Sequence, residues 1–142
     1  MKKLLATAGL FAMSCAAFAA DPLHNTTWRT IDDTTKKPKA IVKFTESNGV
    51  LSATIQQVLT PGEEAACKSC SGPYKNKSLR GVTVVQNLKS AGGNKYQGGK
   101  IIDPKTGKDY KLEATLKGNS LDMRGYIGIS ALGRTQTWQR VN

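Results

Sequence analysis

Cys67 and Cys70 are the residues of this chain whose type and spacing come closest to a chemical site. A C-x-x-C pair can supply half of a zinc site, cycle as a dithiol, or close a small structural disulfide. A structural zinc takes about four ligands. The single histidine, His24, and these two thiols fall short of that. A thioredoxin-like dithiol belongs at a helix start within a βαβ pattern. Here the flanks are Pro61-Gly62 and Ser71-Gly72-Pro73, which is loop composition. The favoured reading is a disulfide that pins this loop, in keeping with an oxidising compartment.

Other reactive groupings are sparse. His24 falls in an N-terminal stretch expected to be loose, which disfavours a histidine relay. No G-x-S-x-G is present. Gly107-Lys108 is followed by Asp109 where a phosphate-binding loop needs Ser or Thr. Asp103 and Asp109 are near in sequence, but both suit turn positions. The chain is therefore expected to be non-catalytic, with no metal site and no cofactor.

The first nineteen residues set the compartment. Met1-Lys2-Lys3 is a short basic start, and Leu4 to Phe18 is apolar or small. Ala17 and Ala19 offer small residues where a signal peptidase reads, and Asp21-Pro22 ends the run. This layout predicts a signal peptide over residues 1–19 and a domain over 20–142, exported to the periplasm or secreted. The apolar run is short of the about 20 residues that a membrane span needs. Lipid attachment at Cys15 is the rival; the stretch ahead of it lacks the usual aliphatic residue three positions before the cysteine. Cleavage after Ala19 is favoured.

The formal charge of +11 counts Lys2 and Lys3, which leave with the signal peptide. A basic surplus suits an anionic lipid, a glycan or an acidic protein as partner, and otherwise serves solubility. An exported protein meets little nucleic acid, so nucleic acid is not an expected partner. No later segment reaches membrane-spanning length. The sequence leaves the oligomeric state open.

The elements that must position any site repeat with a period of two. From Gly107 to Lys117, Tyr110, Leu112, Ala114 and Leu116 share one face, while Lys111, Glu113, Thr115 and Lys117 share the other. Successive strand side chains point to opposite faces, so this is a half-buried antiparallel strand. The same reading gives strands near 27–31, 40–46, 50–58, 81–88, 95–102, 108–117, 120–127 and 134–141. Asn48-Gly49, Gly92-Gly93-Asn94, Pro104 to Gly107 and Gly118-Asn119 supply the turns. Only residues 61–80 break the pattern, with a helical turn conceivable over Glu63 to Ala66.

Eight short antiparallel strands with one apolar face each predict an all-β domain, a single up-and-down barrel, with a two-sheet sandwich or a five-stranded barrel as rival folds. Closure removes the sheet edges that invite aggregation. The expected inward set is Trp28, Val42, Phe44, Leu51, Ala53, Ile55, Val82, Val84, Leu88, Tyr96, Tyr110, Leu112, Leu116, Leu121, Met123 and Trp138. An eight-stranded barrel is either filled by such side chains or holds one small ligand.

Three blocks carry a family resemblance: Gly99 to Tyr110, Met123 to Gly128 and Leu132 to Arg140. With Trp28 and the Cys67–Cys70 pair, they make the chain similar to domain-of-unknown-function family 2147, small secreted bacterial proteins of uncharacterised function. The resemblance implies a lipocalin-like β-barrel. Lipocalin-type first strands usually carry Gly two residues before the Trp, where this chain has Thr26.

The expected function is a non-catalytic periplasmic barrel that binds a small apolar or amphipathic molecule. Candidate ligand contacts are Trp28, Phe44, Tyr110, Leu112, Met123, Trp138 and Arg140. Arg124, Tyr126 and Arg134 are candidates for the mouth or its loops. A surplus of Lys and Arg there could meet an acidic head group. Trp28 and Arg140 lie on terminal strands that closure would make neighbours, where a guanidinium over an indole would seal the barrel. The alternative is a filled barrel that docks on an anionic envelope component through basic loops carrying Lys36, Lys37, Lys39, Lys75 and Lys77.

Overall fold

The alternating segments form eight strands: β1 Thr27–Ile31, β2 Pro38–Ser47, β3 Val50–Val58, β4 Thr83–Gly92, β5 Lys95–Asp103, β6 Lys108–Lys117, β7 Ser120–Tyr126 and β8 Arg134–Arg140. The structure is a computed structural model that describes residues 7–12 and 19–142. Most of the expected signal peptide, Cys15 included, lies outside the described residues.

Each strand pairs antiparallel with its sequence neighbour, and β8 returns to β1 to close the barrel. Trp28 sits opposite Arg140 at that seam, and the guanidinium carbon lies 5.9 Å from the indole centroid. Backbone bonds from Thr27 N–H to Asn142 C=O and from Val141 N–H to Thr27 C=O extend the seam. No helix among the described residues is long and apolar enough to cross a membrane.

Most of the expected inward set forms the buried core, with Leu23, Ala40, Val58, Val85 and Ala114 added. Val82, Tyr110 and Leu116 are only half-buried. The phase in β4 differs from simple alternation, because Val84, Val85 and Leu88 are all buried. Asn87 adopts a φ of 58°, and Gly98 on the facing strand has a φ of 72°. These bulges shift each strand by one residue, as an unpaired extra residue must. The shift seats Leu88 against Gly99, where an added Cβ would lie 2.8 Å from Leu88 Cδ1. A side chain at 99 would have to displace the buried Leu88 side chain, which favours glycine there.

Residues 59–82 form an irregular loop between β3 and β4. Its only helical turn spans Gly72–Tyr74, not Glu63 to Ala66, which bends instead. Cys67 and Cys70 form a disulfide and are both buried. Cys67 N–H donates to Lys77 C=O, Asn76 N–H donates to Cys67 C=O, and Leu79 packs on the core. The first two bonds close the loop on itself, and Leu79 together with the Gly81 N–H bond to Ile55 C=O ties its end to the barrel.

Candidate functional site

The two ends of the barrel differ in side-chain size. At one end Trp28, Phe44, Leu51, Leu88, Leu121 and Met123 fill the interior. Phe44 and Trp138 meet with ring centroids 6.1 Å apart at a 46° tilt, a favourable edge-biased arrangement. The segment before β1 covers this end, with Leu23 wholly buried. Thr26 Oγ accepts from Trp28 Nε1 at 2.7 Å and donates to Leu23 C=O at 2.6 Å. The Thr26 hydroxyl thus satisfies the buried indole N–H, and glycine there could not. Tyr96 OH donates to Asp21 Oδ1 at 2.8 Å, and burial followed by this bond raises the phenol pKa well above its usual value. His24 belongs to the same plug, contrary to the expected loose N-terminus: its Nδ1 accepts from Glu46 N–H at 2.9 Å.

The other end is hollow. A cavity of about 430 Å³ opens among the β1–β2, β3–β4, β5–β6 and β7–β8 loops. Val42, Ile55, Val84, Ile101, Tyr110 and Trp138 form its apolar wall. Small inward residues leave the space. Ala40 and Thr30 stand where a larger side chain would close it, and so does Gly125. A Cβ on Gly125 would lie 3.5 Å from Tyr110 Cβ and 3.6 Å from Ile101 Cγ2, an ordinary contact. Gln136 adds a polar group, its Oε1 accepting from Trp138 Nε1 at 2.7 Å. The remaining amide N–H groups of Gln136 are the donors it can offer a ligand.

Charges at the rim are nearly balanced. The lining carries Asp32, Asp33, Glu63 and Asp103 against Lys39, Lys105 and Arg134. Arg134 pairs with Asp33 at 2.7 Å, and Lys39 lies 3.9 Å from Asp32. Backbone N–H of Thr35, then that of Thr34 and the Lys39 charge, hold the Asp32 carboxyl below the usual range against the opposing effect of burial. The basic surplus of the chain therefore does not line the cavity, which corrects the expectation of a cationic grip on an acidic head.

The candidate residues separate by position. Tyr110 and Trp138 line the cavity, and Tyr126 and Arg134 lie at its rim. Trp28, Phe44, Leu112 and Met123 belong to the filled core, outside the lining, and Arg140 lies on the outer seam. Arg124 points outside and anchors the β7–β8 loop, donating from Nε to Ser130 C=O at 2.8 Å and from Nη1 to Thr135 Oγ1 at 2.8 Å. Sequence reasoning missed Gln136, Thr30 and Gly125 as cavity residues. Continuing the inward phase of β8 from Trp138 back by two reaches Gln136. Among the described residues, no group of three or more His, Cys, Asp and Glu side chains is placed to hold a metal.

The family described as "Uncharacterized protein conserved in bacteria (DUF2147)" matches residues 26–140. No curated protein matches the chain. Among solved structures, it is similar to protein HP1028 from Helicobacter pylori, described as belonging to the lipocalin family. The identity is 26% over 82% of this chain and 81% of that one, with a TM-score of 0.68. That likeness agrees with the closed eight-stranded barrel.

Proposed function

This chain belongs to the DUF2147 family of bacterial proteins, and we propose that it is a non-catalytic, exported barrel that binds one small, largely apolar molecule in its open half. The observation that carries the reading is the apolar-walled cavity of about 430 Å³. That volume is within the roughly 300–1,000 Å³ of small-molecule sites. A few polar groups among apolar walls are the usual recipe for orientation, and Gln136, Thr30 and Tyr110 provide them here. The balanced rim favours a neutral ligand, or one with a hydroxyl or carbonyl head, over a free carboxylate. The filled-barrel alternative is disfavoured by the same cavity. Export is supported by the apolar start and by the disulfide in the loop that flanks the mouth.

The test is titration with matched medium-chain alcohols, ketones and carboxylates, read by tryptophan emission and thermal stability. Trp138 lines the cavity and Trp28 does not, so occupancy should change emission through Trp138. The neutral compounds are expected to bind at least as tightly as the carboxylates. Unchanged emission and melting with every class would overturn the reading.

A further inference from the structure

The β7–β8 loop displays apolar side chains that the fold does not use. Ile127, Ile129 and Leu132 are 68%, 61% and 78% exposed. Among the described residues, the other exposed large apolar side chains are Leu10, Phe11 and the less open Val141, near the chain ends. Scattered exposed aliphatics are ordinary, but a group on one loop marks a contact surface.

The display is built rather than slack. Arg124 grips the loop carbonyls of Ser130 and Ala131, and Ser130 Oγ donates to Glu113 Oε2 at 2.9 Å. At Gly133 an added Cβ would meet Gly125 O at 2.7 Å, so the loop lies tightly on β7. Its polar groups are thus turned to the barrel, while Ile127 and Leu132 edge the cavity mouth and stay exposed together with Ile129.

Basic loops lie at the same end of the barrel as this tip. Arg134 reaches Asp33 and Thr34, which sets the β1–β2 turn with Lys36 and Lys37 beside it. Lys105 lines the same cavity mouth, and the β3–β4 loop carries Lys75 and Lys77. Among the described residues, none of these five lysines takes part in an ion pair, whereas Asp32 and Asp33 are engaged by Lys39 and Arg134. Glu63 and Asp103 at the same mouth offset part of this charge, and exposed aliphatic side chains beside five lysines outside ion pairs match the chemistry of an anionic phospholipid surface. Apolar groups enter the headgroup boundary and lysines meet the phosphates.

We propose that the open end of the barrel docks on anionic phospholipid bilayers, with Ile127, Ile129 and Leu132 inserted and the lysines of the same end at headgroup level. This orientation faces the cavity mouth to the membrane. The proposal does not require the cavity to be occupied, so its test reads membrane binding alone.

The experiment is sedimentation of the domain with vesicles of phosphatidylcholine containing about one third phosphatidylglycerol, against pure phosphatidylcholine. Binding is expected only to the anionic vesicles, weakening as salt rises. The double variant Ile129→Ser/Leu132→Ser is expected to lower the affinity roughly tenfold or more. Lys36→Ser/Lys37→Ser should lower it by a similar factor. Lys89→Ser/Lys95→Ser, at the opposite end of the barrel, should leave at least half of it. All positions are exposed, and thermal melts of each variant check the fold; Leu132→Ser alone serves if the double variant melts early. Three outcomes overturn the proposal: no binding to anionic vesicles at low salt, equal losses from the two lysine pairs, or an unchanged affinity in the serine loop variants. Concentration-dependent dimers abolished by the same serine variants, without vesicle binding, would assign the patch to a second copy instead.

Discussion

Filling the cavity from Gly125 should exchange ligand binding for stability. Gly125 lies on the inward phase of β7 with Leu121 and Met123 and has no positive φ. An added Cβ makes ordinary contacts of 3.5 and 3.6 Å with side chains, so the first carbon of Gly125→Leu fits and the rest of the side chain can turn toward the cavity. Replacing a strand glycine relieves about 0.5–1 kcal/mol of unfolded-chain entropy. A leucine side chain gains roughly 1.5–3 kcal/mol when fully buried, and about half of that in a cavity open at one end. Allowing for crowding against Tyr110, the net expectation is about 1–2 kcal/mol of added stability, or a rise of roughly 3–10 °C in Tm for a domain of this size. A ligand at about 100 times its Kd stabilises the wild type by about 2.7 kcal/mol and leaves a protein that cannot bind it unchanged. The variant should therefore melt above the wild type without ligand and below it with saturating ligand. Differential scanning calorimetry with and without the tightest compound from the titration reads both. A destabilised variant would refute the assignment of Gly125 as the residue that keeps the space open. A variant that is stabilised yet binds equally well would move the ligand elsewhere.

Further expectations are local. Gly133→Ala should destabilise by about 1–3 kcal/mol, because its Cβ collides with backbone oxygen, whereas Gly118→Ala should cost less since nothing lies near it beyond its positive φ; denaturant melts compare the two. Replacing both Cys67 and Cys70 by Ser should cost less than the roughly 2–4 kcal/mol typical of disulfides, since the ring spans a sequence separation of 3, and labelling of the unfolded wild type should find no free thiol at these positions. Asp122 is hydrogen-bonded by Lys117 and Thr137, which lower its pKa below the usual 3.8. A carboxyl lowered in the folded state adds stability above its unfolded pKa and loses it as pH falls through the folded value, so melts taken below about pH 4 should narrow the gap between wild type and Asp122→Asn.

The strand pattern was legible because each strand has one face in the core, and a two-residue period survives any sequence with that property. The turns were legible for a different reason, since Asn48-Gly49 and Gly118 stand where positive φ is needed. The phase slip of β4 was not legible. Nothing about Asn87 in the sequence distinguishes a bulge from an ordinary outward strand residue, because the slip depends on Gly98 across the ladder. The role of the N-terminal segment was hidden for a similar reason: Asp21, Leu23 and His24 gain their meaning from Tyr96, the core and Glu46, partners 75 and 22 residues away for Asp21 and His24.

Whether the barrel is hollow or filled was nonetheless written in the inward positions, as a gradient of size along each strand rather than as composition. Taken from mouth to base, β1 runs Thr30 then Trp28, and β2 runs Ala40, Val42, Phe44. The inward face of β7 runs Gly125, Met123, Leu121, and that of β8 runs Gln136 then Trp138. Four strands thus carry small or polar residues at one end and large apolar ones at the other. Summed over the whole chain, the inward residues left a filled barrel and a ligand-holding one both open. Aligned by the register that pairs Trp28 with Val42, Trp138 with Leu121 and Gly125 with Arg134, they fall into a packed base with an open chamber above it. The packed base fixes the barrel, so the chamber can change its lining with little effect on the fold. Substitutions that invert the gradient should separate these tasks. Ala40→Phe at the mouth should exclude ligand while the domain still folds, whereas Phe44→Ala at the base should cost about 3–5 kcal/mol and leave no binding to measure because the domain itself is lost. Circular dichroism melts and the ligand titration, run on both variants, distinguish the outcomes. Equal loss of stability at the two positions would show that the barrel is held together along its whole length and that the open half is no separate chamber.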